Sequence, residues 1–194
     1  MDKPDFTGAR VMVCGLMRSG MAAARLLLSG GADICVADVK PYEQMDPLQR
    51  AFVDEVKGLG AELYLGGNPD DIINRFNYIV ISPGIPIDTP FIEKARDMGI
   101  PVIGELELGS MVCDAPIIAF TGTNGKTSAS TIAGDIMKIH APGSETLGNI
   151  GAAFCEKAAK IPRDAWVTLE VSSFQLESVR AFRPHIAAVL NIKE

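Results

Sequence analysis

The sequence predicts an α/β protein with two consecutive domains, each built on a mostly parallel sheet. Short apolar strand patterns alternate with helical patterns along the whole chain, which is typical of parallel sheets covered by helices. Two of the strands also end in a glycine turn that leads into a helix, at residues 15–20 and 122–125. The alternation restarts near residues 110–115, so we predict a first domain at residues 1–112 and a second at residues 113–194.

The composition limits the classes of function. A share of 47% hydrophobic and 22% charged residues describes an ordinary globular protein, and a formal charge of −6 argues against a general nucleic-acid or membrane-surface binder. The sequence shows no signal-peptide pattern and no apolar run of about 18 residues, so we expect a cytoplasmic protein without a membrane segment. The four widely spaced cysteines are predicted to be reduced thiols: Cys14, Cys35, Cys113 and Cys155.

The first glycine turn lies in a Rossmann-like βαβ pattern. Residues 10–14 and 33–37 are predicted strands, joined by a helix over residues 21–28 with Ser19 as its N-cap. Asp38 closes the second strand roughly 20 positions after the turn begins, as in dinucleotide-binding folds. Met17 stands where the dinucleotide pattern needs a glycine, which argues against NAD bound in the usual way. The turn therefore serves either close strand–helix packing alone or a modified form of nucleotide binding.

The rest of the first domain continues the alternation. Further helices are predicted at residues 47–59, 70–75, 89–98 and 105–113, and further strands at residues 61–65, 78–81 and 101–103. The apolar face of the first of these helices is predicted to consist of Leu48, Phe52, Val56 and Leu59. Ser82 and Gly84 follow a buried strand at the carboxyl edge of the sheet, where open α/β folds bind ligands. We expect them either to contact a ligand phosphate or to form a rigid connection.

The second glycine turn, Thr121-Gly-Thr-Asn-Gly-Lys-Thr127, predicts a phosphate-binding turn at the start of a P-loop-type α/β domain. A strand pattern that begins at Pro116 precedes it, and a helical pattern over residues 126–139 follows it. The general P-loop pattern would place a glycine at Phe120, so only the shorter form Gly-x-x-Gly-Lys-Thr is present. Small residues and a helix N-terminus favour a triphosphate, Lys126 supplies a positive charge, and the hydroxyl of Thr127 can reach Mg²⁺.

A carboxylate on a later strand completes the predicted site. After a helix over residues 152–160, a strand over residues 166–171 carries Glu170, which we interpret as a Mg²⁺ ligand or as the partner of an Arg or Lys. A polar edge follows it at Ser172, Ser173 and Gln175. The last strand is predicted at residues 187–192. Two pairs of side chains are given structural roles, Phe174 and Leu176 in the core and His140 and His185 at the surface or in loops.

Together these motifs resemble the Mur ligases, the ATP-dependent amide-bond-forming enzymes of peptidoglycan synthesis. Thr121–Thr127 is similar to the ATP-binding signature of that family, which folylpolyglutamate synthases share. Leu169–Glu177 is similar to the version found in the members that add D-glutamate to UDP-N-acetylmuramoyl-L-alanine. Gly148–Gly151 and Ser82–Ile85 resemble the same members. The resemblance covers nearly the whole chain.

The resemblance implies roles for individual residues. The implied substrate-binding residues are Arg18, Ser19 and Asp38 for the uridine nucleotide, Ser82 and Gly84 for its pyrophosphate, and Asn149, Ser172 and Gln175 for the muramoyl side or phosphates. The implied ATP-binding residues are Gly122, Thr123, Asn124, Gly125, Lys126, Thr127 and Ser128. Thr127 and Glu170 would hold Mg²⁺, and Lys126 and Glu170 would be catalytic. The implied reaction activates the substrate's alanine carboxylate as an acyl phosphate, which the amine of D-glutamate then attacks.

The chain departs from the family pattern in two places. Residues 141–146 lack the apolar strand that usually precedes Gly148, and the sequence stops at Glu194, where the family continues with an Asp-His pair. We therefore expect an N-terminal fragment that binds the UDP substrate and forms no amide alone. The complete enzyme is expected to be a monomer, and an incomplete second domain favours self-association. The alternatives are another Mur-type ligase, a folylpolyglutamate synthase relative, and a dinucleotide-binding oxidoreductase or sensor module.

Overall fold

The computed structural model describes residues 4–193, which form two parallel sheets in succession. The first sheet has five strands in the order β3-β2-β1-β4-β5, with every neighbouring pair parallel. The strands are β1 Arg10–Cys14, β2 Asp33–Asp38, β3 Glu62–Leu65, β4 Tyr78–Ile81 and β5 Val102–Gly104. The helices of this part are α1 Arg18–Ser29, α2 Pro47–Gly58, α3 Pro90–Asp97 and α4 Glu105–Val112. Buried apolar clusters lie on both faces of the sheet, so its central strands carry apolar side chains on both sides.

The second sheet has four strands in the order β7-β8-β6-β9, and its strand pairs are also parallel. Its strands are β6 Ile117–Thr121, β7 Glu145–Gly148, β8 Val167–Glu170 and β9 Ile186–Val189. Its helices are α5 Lys126–His140, α6 Phe154–Lys157 and α7 Ser173–Leu176. The carboxyl ends of β6, β7 and β8 meet at one edge, where Phe120 and Gly148 each pair with Glu170. This edge receives the second glycine turn.

Several predicted details of the first sheet are wrong. α1 begins at Arg18 with Met17 as its N-cap, so Ser19 lies inside the helix and caps nothing. The buried side of α2 consists of Gln49, Phe52, Val53 and Val56, whereas Leu48 and Leu59 are exposed. The capping box of Asp46 and Gln49 fixes the start of this helix and turns Gln49 inward. The predicted helix at residues 70–75 is only a 3-10 turn at Ile73–Arg75.

The second sheet contains a strand that the sequence did not suggest. Residues 145–148 form β7, although residues 141–146 lack a run of apolar side chains. An edge strand beside β8 needs only one deeply buried side chain, and Leu147 supplies it at 1% exposure. An ion pair of 2.6 Å between Lys157 and Glu145 adds a contact to α6. A strand therefore forms at this point although the apolar run usual in the family is missing.

The prediction that Phe174 and Leu176 are core residues is also wrong. Both lie in α7, and their exposed fractions are 64% and 40%. β9 is an edge strand that also exposes apolar side chains, among them Ile186 and Val189. No helix within residues 4–193 is long and apolar enough to cross a bilayer.

The two sheets are joined through helices. α6 of the second part packs against α1 and α4 of the first part. Ala153 and Cys155 share one buried cluster with the small α1 residues Ala22 and Ala23. Because side chains this small let the backbones approach closely, the carboxyl edge of the first sheet is brought near the turn that follows β7.

Candidate functional site

The first sheet carries a mainly apolar pocket of about 450 Å³ at the carboxyl ends of β1, β2 and β4. Asp38, Ser82 and Gly84 line this pocket, and so do Lys40 and Gln49. Asp38 accepts hydrogen bonds from the amides of Leu16 (2.8 Å) and Lys40 (2.9 Å). These bonds fix the carboxylate at the pocket wall. Arg18 and Ser19 lie outside the lining of this pocket.

The two glycines of the first turn serve close packing. A Cβ atom on Gly20 would overlap the carbonyl oxygen of Gly15, and one on Gly15 would meet the hydroxyl of Ser82 at 2.9 Å. Ser82 is 3% exposed and donates its hydroxyl to the Gly15 carbonyl at 3.0 Å. The glycines thus bring β1, α1 and the turn after β4 into direct contact, which supports the packing interpretation of this pattern.

Arg18 points away from its own turn. Its guanidinium donates to the carbonyls of Gly148 and Gly151, each at 2.8 Å, and to that of Asn149 at 3.2 Å. These carbonyls belong to the turn after β7, in the second sheet. The residue that the resemblance assigns to the uridine nucleotide therefore links the two sheets in this structure.

The second glycine turn carries Lys126 folded back over it. The ammonium donates to the carbonyls of Gly122 at 2.6 Å and Thr123 at 3.3 Å. Gly122 and Gly125 have φ values of 140° and 83°, which a residue with a side chain rarely adopts. α5 starts at Lys126 with Gly125 as its N-cap and no side-chain cap, so the first turn of the helix points its amides outward. Thr127 and Ser128 lie exposed in this first turn.

Asn191 holds the second turn and was not identified from the sequence. Its side chain accepts from the amide of Asn124 and donates to the carbonyl of Asn124, both at 2.9 Å. Its own carbonyl accepts from the amide of Thr123 at 3.1 Å. An asparagine two residues after β9 gives no pattern by itself, because its meaning depends on the pairing of β9 with β6. The role of Asn191 could have been found only by knowing that β9 pairs with β6, the strand that leads into the turn.

Glu170 is buried beside this turn, and only one of its two carboxylate oxygens has a hydrogen-bond partner within residues 4–193. The side chain is 2% exposed, and its Oε1 accepts from Nδ2 of Asn149 at 2.7 Å. Its Oε2 is buried and has no hydrogen-bond partner within residues 4–193. The hydrogen-bond partner of Glu170 is thus the side-chain amide of Asn149, and the structure does not show the Arg or Lys partner that the sequence left open. A buried carboxylate oxygen without a partner is costly, and a cation would remove that cost.

Ser172 and Gln175 bind each other in this structure. The amide of Ser172 donates to Oε1 of Gln175 at 2.9 Å, and the hydroxyl of Ser172 donates to the same oxygen at 3.1 Å. The amide of Gln175 donates to the Ser172 hydroxyl at 3.4 Å. This capping box starts α7 directly after β8, so the two side chains lie close to Glu170 along the chain.

Two buried carboxylates on α4 join the sheets, and sequence reasoning missed both. Glu105 accepts from the amide of Cys155 at 2.6 Å. Burial raises the pKa of Glu105, and the hydrogen bonds from Cys155 together with the charge of Arg18 oppose that rise. Glu107 accepts three backbone amides of the segment at residues 180–182, at 2.9 to 3.2 Å. Acidic residues at the start of a helix are usually taken as exposed, so no local pattern marked them.

The residues around Glu170 fit a magnesium ion. Mg²⁺ prefers oxygen ligands, usually one or two carboxylates together with phosphate oxygens and water. Glu170 Oε2 is such an oxygen, and Thr127 adds a hydroxyl on the neighbouring helix. No group of three or more His, Cys, Asp or Glu side chains within residues 4–193 could hold a metal by itself. A metal here would therefore need oxygen ligands from outside the protein as well, such as phosphate and water.

Comparison with known proteins shows which family the chain resembles. Residues 9–104 match the family model described as "Mur ligase MurD-like, N-terminal domain". The chain is 41% identical over 184 residues to the UDP-N-acetylmuramoylalanine–D-glutamate ligase of Geobacillus sp. (strain WCH70), covering 94% of this chain and 40% of that protein. It is 43% identical over 190 residues to the ligase of the same name from Koribacter versatilis (strain Ellin345), covering 97% and 41%. The chain thus spans about two fifths of the length of these relatives.

Solved structures show the same fold. A UDP-N-acetylmuramate:L-alanyl-gamma-D-glutamyl-meso-diaminopimelate ligase from Neisseria meningitides matches with a TM-score of 0.58 at 15% identity, over 96% of this chain and 61% of that one. A murein peptide ligase from Psychrobacter arcticus matches with a TM-score of 0.56 at 15% identity, over 96% and 44%. The predicted α/β fold with parallel sheets is confirmed.

Proposed function

Because the chain carries the MurD-like N-terminal domain of the Mur ligases, we propose that it is part of an ATP-dependent acid–amino-acid ligase. The proposed reaction joins D-glutamate to UDP-N-acetylmuramoyl-L-alanine in the cytoplasm, as a step of peptidoglycan precursor synthesis. Curated relatives of that name cover nearly the whole chain at about two-fifths identity, which favours this reaction over that of another Mur-type ligase. The 194 residues would contribute the UDP-substrate domain and the first part of the ATP site.

One observation carries the ATP half of this proposal. The buried Glu170, whose Oε2 has no partner within residues 4–193, lies at the same sheet edge as the Lys126 turn. Phosphoryl transfer needs a positive charge near the phosphates and a carboxylate that can bind Mg²⁺, and Lys126 and Glu170 would supply them. The glycine turn at residues 15–20 differs in this respect, because Asp38, which binds the Leu16 amide of that turn, has a hydrogen-bond donor on each carboxylate oxygen.

The proposed chemistry proceeds in two steps. The alanine carboxylate attacks the γ-phosphorus of ATP, the bond from that phosphorus to the bridging oxygen breaks, and ADP and an acyl phosphate form. The amine of D-glutamate then attacks the acyl carbon, loses a proton and displaces inorganic phosphate, which leaves an amide. Lys126 would stabilise the charge on the transferred phosphoryl group. Glu170 and Thr127 would hold Mg²⁺, which supplies charge neutralisation at the phosphates when it is bound.

ATP binding to the 194-residue chain tests the phosphate turn. Isothermal titration with ATP and Mg²⁺ is expected to show one site, and Lys126→Ala to weaken it by about 10- to 100-fold through loss of a charge-assisted hydrogen-bond donor. Lys138→Ala is the matched control, since Lys138 lies on the same helix but pairs with Asp135 at its far end. Equal affinities of the Lys126 and Lys138 variants would contradict the assignment.

Binding of the UDP substrate tests the first domain separately. UDP-N-acetylmuramoyl-L-alanine is expected to bind the pocket at residues 14–16 and 82–86, and Asp38→Ala to weaken it on the order of tenfold because a wall-fixed carboxylate is lost. Asp33→Ala is the control, as Asp33 lies exposed at the opposite end of the same strand β2. No heat of binding with the parent chain, or equal losses in the two variants, would count against this half of the proposal.

A dinucleotide-binding module is the alternative from another class. The exposed Met17 at the start of α1 and the tight contact of Gly20 with Gly15 speak against pyrophosphate bound at this turn. Enhanced NADH fluorescence on mixing with the chain would revive that alternative.

A further inference from the structure

Arg18 belongs to the first sheet but binds the second. It is the first residue of α1, and its guanidinium donates to three carbonyls of the turn after β7, those of Gly148, Asn149 and Gly151. Three carbonyl oxygens that converge on one point repel each other unless a cation lies between them. The planar guanidinium, with its several donors, suits that task better than any other side chain.

The turn that Arg18 holds has an unusual backbone. Gly148 and Gly151 have φ values of 105° and 66°. A Cβ on Gly148 would overlap the carbonyl oxygen of Glu170, so the turn lies directly on the end of β8. The conformation of this turn therefore decides where Asn149 stands relative to Glu170.

Asn149 connects the turn to the carboxylate. Its amide donates to the carbonyl of Glu170 at 2.9 Å, and its side chain donates to Oε1 of Glu170 at 2.7 Å. The second bond fixes the rotation of the carboxylate and leaves Oε2 as the oxygen without a hydrogen-bond partner within residues 4–193. A donor to one oxygen of a metal-binding carboxylate orients the ligand and tunes its affinity.

We propose that Arg18 is a positioning residue for the metal-binding carboxylate: it fixes the turn at residues 148–151, and Asn149 of that turn orients Glu170. This inference rests on the proposed function, because it takes Glu170 as the magnesium ligand. Arg18 contacts neither the metal nor the phosphates in this proposal. It makes the metal site of the second sheet depend on the position of the first.

The interface does not depend on Arg18 alone. Glu105 binds the amide of Cys155, Glu107 binds the amides of residues 180–182, and α6 packs on α1 and α4. Arg18→Ala is therefore expected to fold, with its sheets still joined. This separates a loss of positioning from a loss of structure.

Binding of Mn²⁺ tests the proposal. Free Mn²⁺ is counted by electron paramagnetic resonance in titrations of the 194-residue chain with a non-hydrolysable ATP analogue at one fixed concentration. Asn149→Ala is expected to raise the apparent Mn²⁺ dissociation constant on the order of tenfold, and Arg18→Ala about three- to tenfold. The double variant is expected to bind within about twofold of Asn149→Ala alone, because both changes act on one contact. Arg18→Lys should recover part of the loss, since an ammonium can still bind the carbonyls.

Arg25→Ala is the matched control. Arg25 lies on the same helix and pairs with Glu55 at 2.6 Å, away from the turn. Its variant is expected to bind Mn²⁺ as the parent does. Thermal melts of all variants check that each is folded, and if Arg18→Ala does not fold, Arg18→Lys alone is compared with the parent and must bind more weakly.

The outcomes separate this inference from the proposed function. If Glu170→Gln binds Mn²⁺ as well as the parent, the metal assignment itself is wrong, and the proposal for Arg18 is overturned with it. If Glu170→Gln loses the metal while Arg18→Ala keeps parental affinity, only the positioning role is overturned. If the losses of Arg18→Ala and Asn149→Ala multiply in the double variant, Arg18 does not act through Asn149, and the proposal is again overturned.

Discussion

The chain contains two glycine turns of the same layout, but the basic side chain at each turn contacts carbonyls in a different part of the molecule. Each turn follows the first strand of its sheet and precedes a helix that starts with a basic residue, Arg18 in one case and Lys126 in the other. Arg18 leaves its turn and binds carbonyls of the other sheet, whereas Lys126 folds over the carbonyls of its own turn. The first turn thus joins two sheets, and the second keeps its charge where phosphates would bind.

Gly15 and Gly122 are alike, since each combines a positive φ with a close contact, but the last glycines of the two turns differ. Gly20 is needed because its neighbour, the Gly15 carbonyl, occupies the space of a side chain. Gly125 is needed for its positive φ of 83°, and a Cβ there would meet only a side-chain atom of Leu190, at 3.6 Å. A strand, a glycine turn and a helix in sequence therefore do not define a phosphate site. The proposed ATP site rests on two further features: Lys126 stays over its own turn, and Glu170 has a carboxylate oxygen without a partner within residues 4–193.

Gly20→Ala tests the packing role of the first turn, with the largest expected effect on stability. The new Cβ would overlap the Gly15 carbonyl, a backbone atom that cannot rotate away, so we expect a loss of roughly 1–3 kcal/mol in the free energy of unfolding. Urea denaturation measures it. Gly58→Ala on α2 meets no atom within 4 Å and should gain up to about 1 kcal/mol. A neutral Gly20→Ala would mean that the first turn is loose, and the contrast with the second turn would fail.

Asn191→Ala tests whether the residue that follows β9 stabilises the conformation of the second turn. Loss of the paired hydrogen bonds to Asn124 is expected to cost about 1 kcal/mol of stability and to weaken ATP binding a few fold. Asn77→Ala is the control, because Asn77 accepts from the amide of Arg10 at 2.8 Å in the first sheet. That variant should lose stability but keep ATP affinity. Equal ATP affinities in the two variants would show that Asn191 supports the fold alone.

Glu105→Gln tests the contact between the two sheets through the pH dependence of the free energy of unfolding. Burial raises the pKa of Glu105, so the folded protein binds this proton more tightly than the unfolded chain. The free energy of unfolding should therefore fall as the pH rises from the unfolded pKa, about 4.3, through the raised folded pKa. Glutamine keeps an acceptor for the Cys155 amide but does not ionise. The free energy of unfolding of this variant should therefore fall less than that of the parent as the pH rises. Glu93→Gln on the exposed side of α3 is the control, and equal curves for parent and Glu105→Gln would contradict the account.

The sequence predicted the positions of the strands and helices better than it predicted which of their side chains are buried. Strands such as β1 and β4 are short apolar runs between turn residues, so local pattern was enough. β7 was missed because an edge strand needs only Leu147 to be buried. The apolar face of α2 was misassigned because the capping box of Asp46 turns the polar Gln49 inward and leaves Leu48 outside.

The candidate site was predicted as a set of residues but not as a network. Lys126, Thr127 and Glu170 follow from residue type and position at strand ends, and the structure brings their strands together. Asn191, Glu105 and Glu107 carry no local signal, since their partners lie some 50 to 75 positions away along the chain. Long-range pairing of this kind depends on the register of the sheets and on how the helices pack, which a single sequence does not state.

The most direct test of the central claim is a map of amide signals on addition of ATP and Mg²⁺. The uniformly ¹⁵N-labelled 194-residue chain would be titrated and its ¹H–¹⁵N spectrum followed residue by residue. If the second turn is the one that binds ATP, the amides of Gly125, Lys126 and Thr127 shift at low ATP, and those of Gly15 and Gly20 stay in place. Shifts concentrated at Gly15 and Gly20, with the second turn unchanged, would contradict the account.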